Sequence, residues 1–213
     1  MVRLAIRGES GRTLEVGAVY TIGQNYRDPA DPGAQGPERP LVFGKASTSL
    51  TADGSVIRWD RSLAENVDGE CELGVVIGDD SHSALGYTIV NDMTSHDPRL
   101  DGDQWLLGKS MPGFCPVGPD IVLAGDLDVT DLALGCKLNG QPIQEARTSW
   151  MRFSIEQIIE FLGRHIRLQP GDLISTGTPV RLKTPPGPDR RLQPGDTITC
   201  WIESIGEVTN TIG

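Results

Sequence analysis

Proline and glycine interrupt this chain so often that long helices are excluded over most of its length. Among 213 residues there are 26 glycines and 15 prolines. Proline removes a backbone donor and glycine weakens any regular element, so each one ends or bends what precedes it. Between the breaks lie short runs rich in Val, Ile and Leu, which read as strands. Strands are predicted at 2–7 and 12–16 around a Glu9-Ser10-Gly11 turn, and at 19–23, 41–45, 55–58, 71–78 and 85–92. Asn139-Gly140 between 134–138 and 141–144 predicts a hairpin, because both residues suit the left-handed positions of a type I′ turn. One helix stands out at 155–165. Ser154 caps it, Gln157 completes a capping box, and Ile155, Ile158, Ile159 and Leu162 form a core-facing stripe. Leu168-Gln169-Pro170-Gly171-Asp172 recurs as Leu192-Gln193-Pro194-Gly195-Asp196, and each copy reads as a tight turn feeding a strand. The fold class is α+β and β-dominated, in one domain over 1–213 with a short N-terminal hairpin within 1–18.

Charge narrows the partners. With 19 Lys+Arg against 29 Asp+Glu, the net charge of -10 repels phosphate backbones, so no nucleic acid is expected. The N-terminal segment lacks a signal pattern, and the longest apolar runs fall far short of the roughly 20 residues that span a bilayer. A cytoplasmic protein with no membrane partner is expected. Cys71, Cys115, Cys136 and Cys200 form no C-x-x-C pair and read as reduced, buried thiols. Three histidines are too few for a histidine-rich zinc site.

The chemistry concentrates around Glu70-Cys71-Glu72, which opens the strand at 71–78. Alternation puts Glu70 and Glu72 on one face, roughly 6–7 Å apart at the backbone. Two carboxylates so placed repel unless a positive charge lies between them, and an oxygen-preferring cation such as Mg²⁺, Mn²⁺ or Ca²⁺ fits better than zinc. The plainer reading is a solvated acidic face. Asp92, at the end of the 85–92 strand, is either a third ligand or a turn cap. Lys109, next to Gly108, and the Thr176-Gly177-Thr178-Pro179 turn can hold a substrate carboxylate, although a lone lysine is usually a solvated charge. The 28–40 segment carries Pro29, Pro32, Pro37 and Pro40, so it reads as a long loop and a possible lid.

Taken in order, Ile22-Gly23-Gln24-Asn25-Tyr26, Phe43-Gly44-Lys45, Glu70-x-Glu72-Leu-Gly-Val-Val-Ile-Gly, Asn91-Asp92-Met93-Thr94, Gly108-Lys109-Ser110, Leu138-Asn139-Gly140 and Gly171-Asp172-Leu-Ile-Ser-Thr-Gly-Thr178-Pro179 resemble the fumarylacetoacetate hydrolase family. The likeness runs from about residue 20 to the end and is nearest to the small acylpyruvate hydrolase and oxaloacetate decarboxylase branch. It implies the family's fumarylacetoacetase C-terminal-like mixed β-roll, a homodimer, and Mg²⁺ or Mn²⁺ held by Glu70, Glu72 and Asp92, with Asp28 as a fourth ligand. It also implies substrate contacts from Lys109 and Thr178, joined by Tyr26 and Arg27 beside the Asn-Tyr pair. The implied chemistry is hydrolysis, decarboxylation or tautomerisation of a small 2-oxo or β-diketo acid.

Two departures bear on that chemistry. The family's water-activating histidine and glutamate fall at Pro29 and Pro32, and its Gly-Thr-Pro-x-Gly turn reads Gly177-Thr178-Pro179-Val180-Arg181. Decarboxylation needs an electron sink but no activated water; hydrolysis needs a general base. His96, four residues beyond Asp92 where the family usually has arginine, is the substitute base, and Lys109 serves as one if burial near cations lowers its pKa. His82 reads as a loop residue and His165 as a helix-end residue. A non-catalytic binding protein is the rival reading, favoured if the carboxylates point apart or Arg181 plugs the site. A serine hydrolase is disfavoured because no Gly-x-Ser-x-Gly occurs.

Overall fold

The computed structural model describes residues 2–31, 33–97, 100, 104–182 and 191–213. Pro32, one of the two departures from the water-activating pair, lies outside them. Two mixed sheets carry the fold. The larger has the order Leu41–Lys45, Val19–Gly23, Leu173–Ser175, Cys71–Ile77, Ala84–Asn91, Cys115–Leu123, Leu50–Ala52. The smaller runs Gln141–Arg147, Ala133–Leu138, Thr197–Ile202, Gly206–Ile212, Val56–Ile57. Most neighbours are antiparallel, but Leu173–Ser175 runs parallel to Val19–Gly23, Cys115–Leu123 to Leu50–Ala52, and Gly206–Ile212 to Val56–Ile57. This is the β-dominated α+β architecture expected from the Gly and Pro punctuation.

The central strand Cys71–Ile77 is buried along its whole length. Its odd residues, Cys71, Leu73, Val75 and Ile77, enter the main core with Leu134, Cys136, Ile198 and Cys200 of the smaller sheet. Val76, on the other face, joins a second cluster with Val90, Leu173, Leu4 and Ile6. Burial on both faces explains why residues 73–77 carry no polar side chain and do not alternate, Glu72 being the one acid of the strand. The N-terminal hairpin, Arg3–Ala5 against Thr13–Glu15, covers that second cluster. All four cysteines are buried and free.

The local signals behave as their chemistry requires. Asn139 and Gly140 have φ of 51° and 79°, the signs a type I′ turn demands. The helix spans Ile155–Gly163, with Ser154 and Gln157 exchanging both capping hydrogen bonds, and His165 sits exposed just past its end. Several strands carry weaker signals. Cys115–Leu123 contains Pro116, Gly118 and Pro119, which break the pattern, and the ladder with Ala84–Asn91 shifts register between Gly118 and Val122. Val67–Asp68 and Thr94–Ser95 form a two-residue ladder too short to read from periodicity.

The repeated Leu-Gln-Pro-Gly-Asp segments are one turn built twice. Asp172 Oδ2 accepts from Gln169 N at 2.9 Å, and Oδ1 accepts from Ala18 N at 3.0 Å. Asp196 Oδ2 accepts from Gln193 N at 2.7 Å, and Oδ1 accepts from Asn139 Nδ2 at 2.8 Å. Each aspartate closes its own turn with one oxygen and ties down a neighbouring segment with the other. Both aspartates are buried and their bonds part-buried, so removing either loses two hydrogen bonds to a charged acceptor that hold two segments together. Asp172→Ala and Asp196→Ala should each destabilise the fold by about 2–4 kcal/mol, read as a lower denaturant midpoint at unchanged m-value.

Candidate active site

Strand register brings the acidic residues together. Cys71 pairs with Asn91 and Glu72 with Val90. One step beyond, Asp92 N donates to the Glu70 carbonyl at 2.9 Å, so Glu70 and Asp92 are cross-strand neighbours and Glu72 lies two residues along the same face. One carboxylate oxygen from each of Glu70, Glu72 and Asp92 falls within 4.8 Å of the others. This face passes from the second apolar cluster at Val76 into a cavity of about 280 Å³ that all three acids line, with Phe43, Trp105, Lys109 and Thr178.

Each acid is held in place. On the far side of Glu72 the strand Leu173–Ser175 runs antiparallel, and Ser175 Oγ and Gly177 N donate to Glu72 Oε2 at 2.6 and 2.8 Å. Glu72 Oε1 has no hydrogen-bond partner among the described residues. Gly177 is required there: its φ is +101°, and a Cβ would lie 2.7 Å from the Ile22 carbonyl. Lys109 Nζ donates to Asp92 Oδ2 at 2.6 Å, Thr94 Oγ1 at 2.6 Å and Glu70 Oε2 at 3.1 Å. Lys45 Nζ donates to Asp92 Oδ1 at 2.5 Å and to the Met93 carbonyl at 3.1 Å.

The electrostatics follow from this packing. Burial pushes the Glu72 carboxyl up, the Asp92 charge pushes it further, and it reaches about 8 despite Lys109 and Ser175. Burial opposes ionisation of Asp92 as well, but Lys109 and Lys45 outweigh it and its pKa is lowered. For Lys109, burial favours loss of the proton, but Asp92, Glu70 and Glu72 dominate and raise its pKa. A base role for Lys109 through a lowered pKa is therefore corrected: carboxylates, not cations, surround it, and it stays an ammonium. With all three acids ionised against two ammonium groups, one negative charge remains, and the donors are all oxygen, which suits a divalent ion of the Mg²⁺, Mn²⁺ or Ca²⁺ kind.

The remaining candidates divide. Thr178 lines the cavity, and its Oγ1 accepts from Gln144 Nε2 at 2.8 Å. His96 lines it too, with Nε2 3.8 Å from Glu70 Oε1 and the side chain 35% exposed. Tyr26 is buried and lines a second, adjoining cavity. Asp28 borders that second cavity but does not join the triad: its Oδ1 turns back to accept from Ala30 N at 2.9 Å. Arg27 lines neither cavity. It is exposed, with Nη1 donating to the Met151 carbonyl at 3.3 Å. Arg181 does not plug the triad; it pairs with Asp68 at 2.8 and 3.0 Å, and Arg191 pairs with the same aspartate. His82 is exposed in its loop.

Three participants carry little signal in the sequence. Lys45 is visible only as part of Phe43-Gly44-Lys45, and nothing in its spacing ties it to Asp92. Thr94 links Lys109 to the strand end. Buried Gln144 accepts from Cys71 N at 3.0 Å while holding Thr178, so it couples the strand that carries Glu72 to the Gly-Thr-Pro turn.

Comparison with known proteins agrees with this geometry. The model of the fumarylacetoacetate (FAA) hydrolase C-terminal domain matches residues 18–213. An uncharacterised protein of Staphylococcus saprophyticus is 38% identical over 204 residues, covering 91% of this chain and 68% of that protein. The structure of 5-carboxymethyl-2-hydroxymuconate delta-isomerase from Mycobacterium smegmatis superposes with a TM-score of 0.82 at 32% identity, over 95% of this chain and 85% of that one. Fumarylpyruvate hydrolase from Pseudomonas aeruginosa, solved with Mn²⁺ and pyruvate, gives a TM-score of 0.83 at 26% identity, over 99% and 95% of the two chains. With its fold, its carboxylate triad and a family match over nearly its whole length, this chain belongs to the fumarylacetoacetate hydrolase family.

Proposed function

We propose that this protein is a divalent-metal-dependent enzyme that cleaves a carbon–carbon bond in a small 2-oxo or β-diketo acid, with oxaloacetate and acylpyruvates as the first substrates to test. The observation that carries this reading is the triad itself: Glu70, Glu72 and Asp92 converge on a cavity that Lys109, Thr178 and His96 also line. Neither condition favouring a binding protein is met, since the carboxylates converge and Arg181 is engaged with Asp68.

Glu70, Glu72 and Asp92 would hold Mg²⁺ or Mn²⁺. When bound, such an ion supplies a Lewis acid to the keto and carboxylate oxygens of a 2-oxo acid. The protein's own groups do the rest. Lys109, kept as an ammonium, and the Thr178 hydroxyl offer donors to substrate oxygens. In hydrolysis of a 2,4-dioxo acid, His96 takes a proton from water as its oxygen bonds to C4. The C3–C4 bond then breaks, its electron pair becomes the enolate of pyruvate, and a proton returned to C3 gives pyruvate and a second acid. Decarboxylation of oxaloacetate uses the same enolate without the water.

A second reading, oxo-acid tautomerisation, is supported by the isomerase name of the similar Mycobacterium smegmatis structure and by Pro29 standing at the water-activating position. It requires only that a proton leave the carbon beside the keto group and be returned to the oxygen, or the reverse, with no carbon–carbon bond broken.

Three outcomes are expected. Turnover of oxaloacetate or an acylpyruvate, followed by loss of keto-acid absorbance, should depend on Mn²⁺ and vanish in Glu70→Ala/Glu72→Ala; the products separate hydrolysis, decarboxylation and tautomerisation, and bound metal with no turnover would favour the binding-protein reading. His96→Asn should lower kcat by about 10²-fold; an unchanged kcat would remove His96 from the mechanism. The metal-free protein should lose stability as pH rises from about 5 to 8: Glu72 goes from 4.5 in the unfolded chain to about 8 when folded, so in that window only the folded state keeps the proton. Melting temperatures with EDTA should fall across that range, and less steeply in Glu72→Gln.

A further inference from the structure

A second cavity, of about 590 Å³, adjoins the triad. The two share Gln24, Glu70, His96 and Thr178 in their walls. A ligand anchored at the carboxylates therefore has one protein-lined direction in which to extend. The far wall is built by residues 34–36 of the loop after Asp28 and by Arg152.

Arg152 differs from the other arginines of that cavity. Arg181 and Arg191 both pair with Asp68. Arg152 has no ion-pair partner among the described residues: its Nη2 reaches the Ala34 carbonyl at 3.3 Å, its Nε is buried without a hydrogen bond, and its Nη1 makes none. The hydroxyl of Tyr26, which lines the same cavity, is likewise buried without a partner. A half-buried guanidinium without an anion is costly, and its planar fork matches a carboxylate. Of the acids lining this cavity, Asp68 holds two arginines, Glu70 holds Lys109, Asp28 accepts from Ala30 N, and Asp31 makes no ion pair with Arg152.

Resting on the oxo-acid reading above, we propose that Arg152 determines specificity by binding a second carboxylate at the far end of the substrate, so that the preferred substrates are oxo-dicarboxylates. The competing explanation is that Arg152 only anchors the loop. Gly36 lies so close over it that a Cβ would sit 2.5 Å from Nε. An anchor alone would change all substrates alike, whereas a carboxylate subsite changes their ratio.

The test compares chains of equal length that end in methyl or in carboxylate. With Mn²⁺ present, kcat/KM is measured for such 2,4-dioxo acid pairs in wild type, Arg152→Leu and Arg152→Lys. In parallel, calorimetry gives the affinities for five- to eight-carbon 2-oxo acids, methyl-ended against carboxylate-ended. The wild type should prefer the carboxylate-ended member of at least one pair by tenfold or more. Arg152→Leu should bring that ratio near one, and Arg152→Lys should restore part of it. A wild-type ratio near one at every length, or a ratio unmoved in Arg152→Leu, overturns the proposal. Turnover without such a preference leaves the oxo-acid enzyme standing and removes the subsite. An Arg152-dependent binding preference without turnover does the reverse.

Discussion

In an antiparallel pair a slip of one residue turns every side chain to the opposite face, and that sensitivity governs the strands Cys71–Ile77 and Ala84–Asn91. With Cys71 opposite Asn91, the hydrogen bond from Asp92 N to the Glu70 carbonyl sets two acids side by side and Glu72 a step behind them. Moved by one residue, the same chain would drive Glu72 into the main core beside Leu134 and Ile198 and expose Leu73 in its place. The apolar residues on both faces of Cys71–Ile77 therefore do two things at once. They stabilise the sheet, and they fix which residues reach the cavity.

Around this register the charges are arranged in two separate groups. Asp92, fully buried, is flanked by Lys45 from one edge of the large sheet and by Lys109 from the short helix Trp105–Lys109. Asp68, from the two-residue ladder, gathers Arg181 and Arg191. Buried ions persist only when paired and hydrogen-bonded, so each aspartate organises segments far apart in sequence. Gln144 adds a neutral link of its own, joining Cys71 N to Thr178.

The sequence makes some of this legible and conceals the rest for physical reasons. Alternation around Glu70 and Glu72, the Asn139-Gly140 turn and the Ser154 capping box are short-range rules, and they carry over directly into the structure. Spacing alone leaves Asp92 balanced between ligand and turn cap; the cross-strand hydrogen bond is what brings it beside Glu70. The Lys45–Asp92 and Asp68–Arg181 pairs are invisible to such rules, because 47 and 113 residues separate the partners and only the tertiary fold brings them together. The strand Cys115–Leu123 escapes because its two prolines and its glycine imitate a loop. Asp28 and Arg27 stand apart from the triad. Sharing a motif with Tyr26 suggested a shared site, but one turns back on its own backbone and the other faces solvent.

The two lysines beside Asp92 carry a consequence for the history of each molecule. A small zinc domain whose ligands have no other counter-charge cannot fold until its ion arrives. Here Lys45 and Lys109 are covalent parts of the chain and already balance the deepest acid. The scaffold can be completed at the ribosome's pace, whatever the supply of metal. On the metal-dependent reading proposed above, loading would be a separate, reversible event on a finished protein. A shortage of the ion would leave a reserve of intact molecules awaiting it, rather than a pool of unfolded chains for proteases to clear.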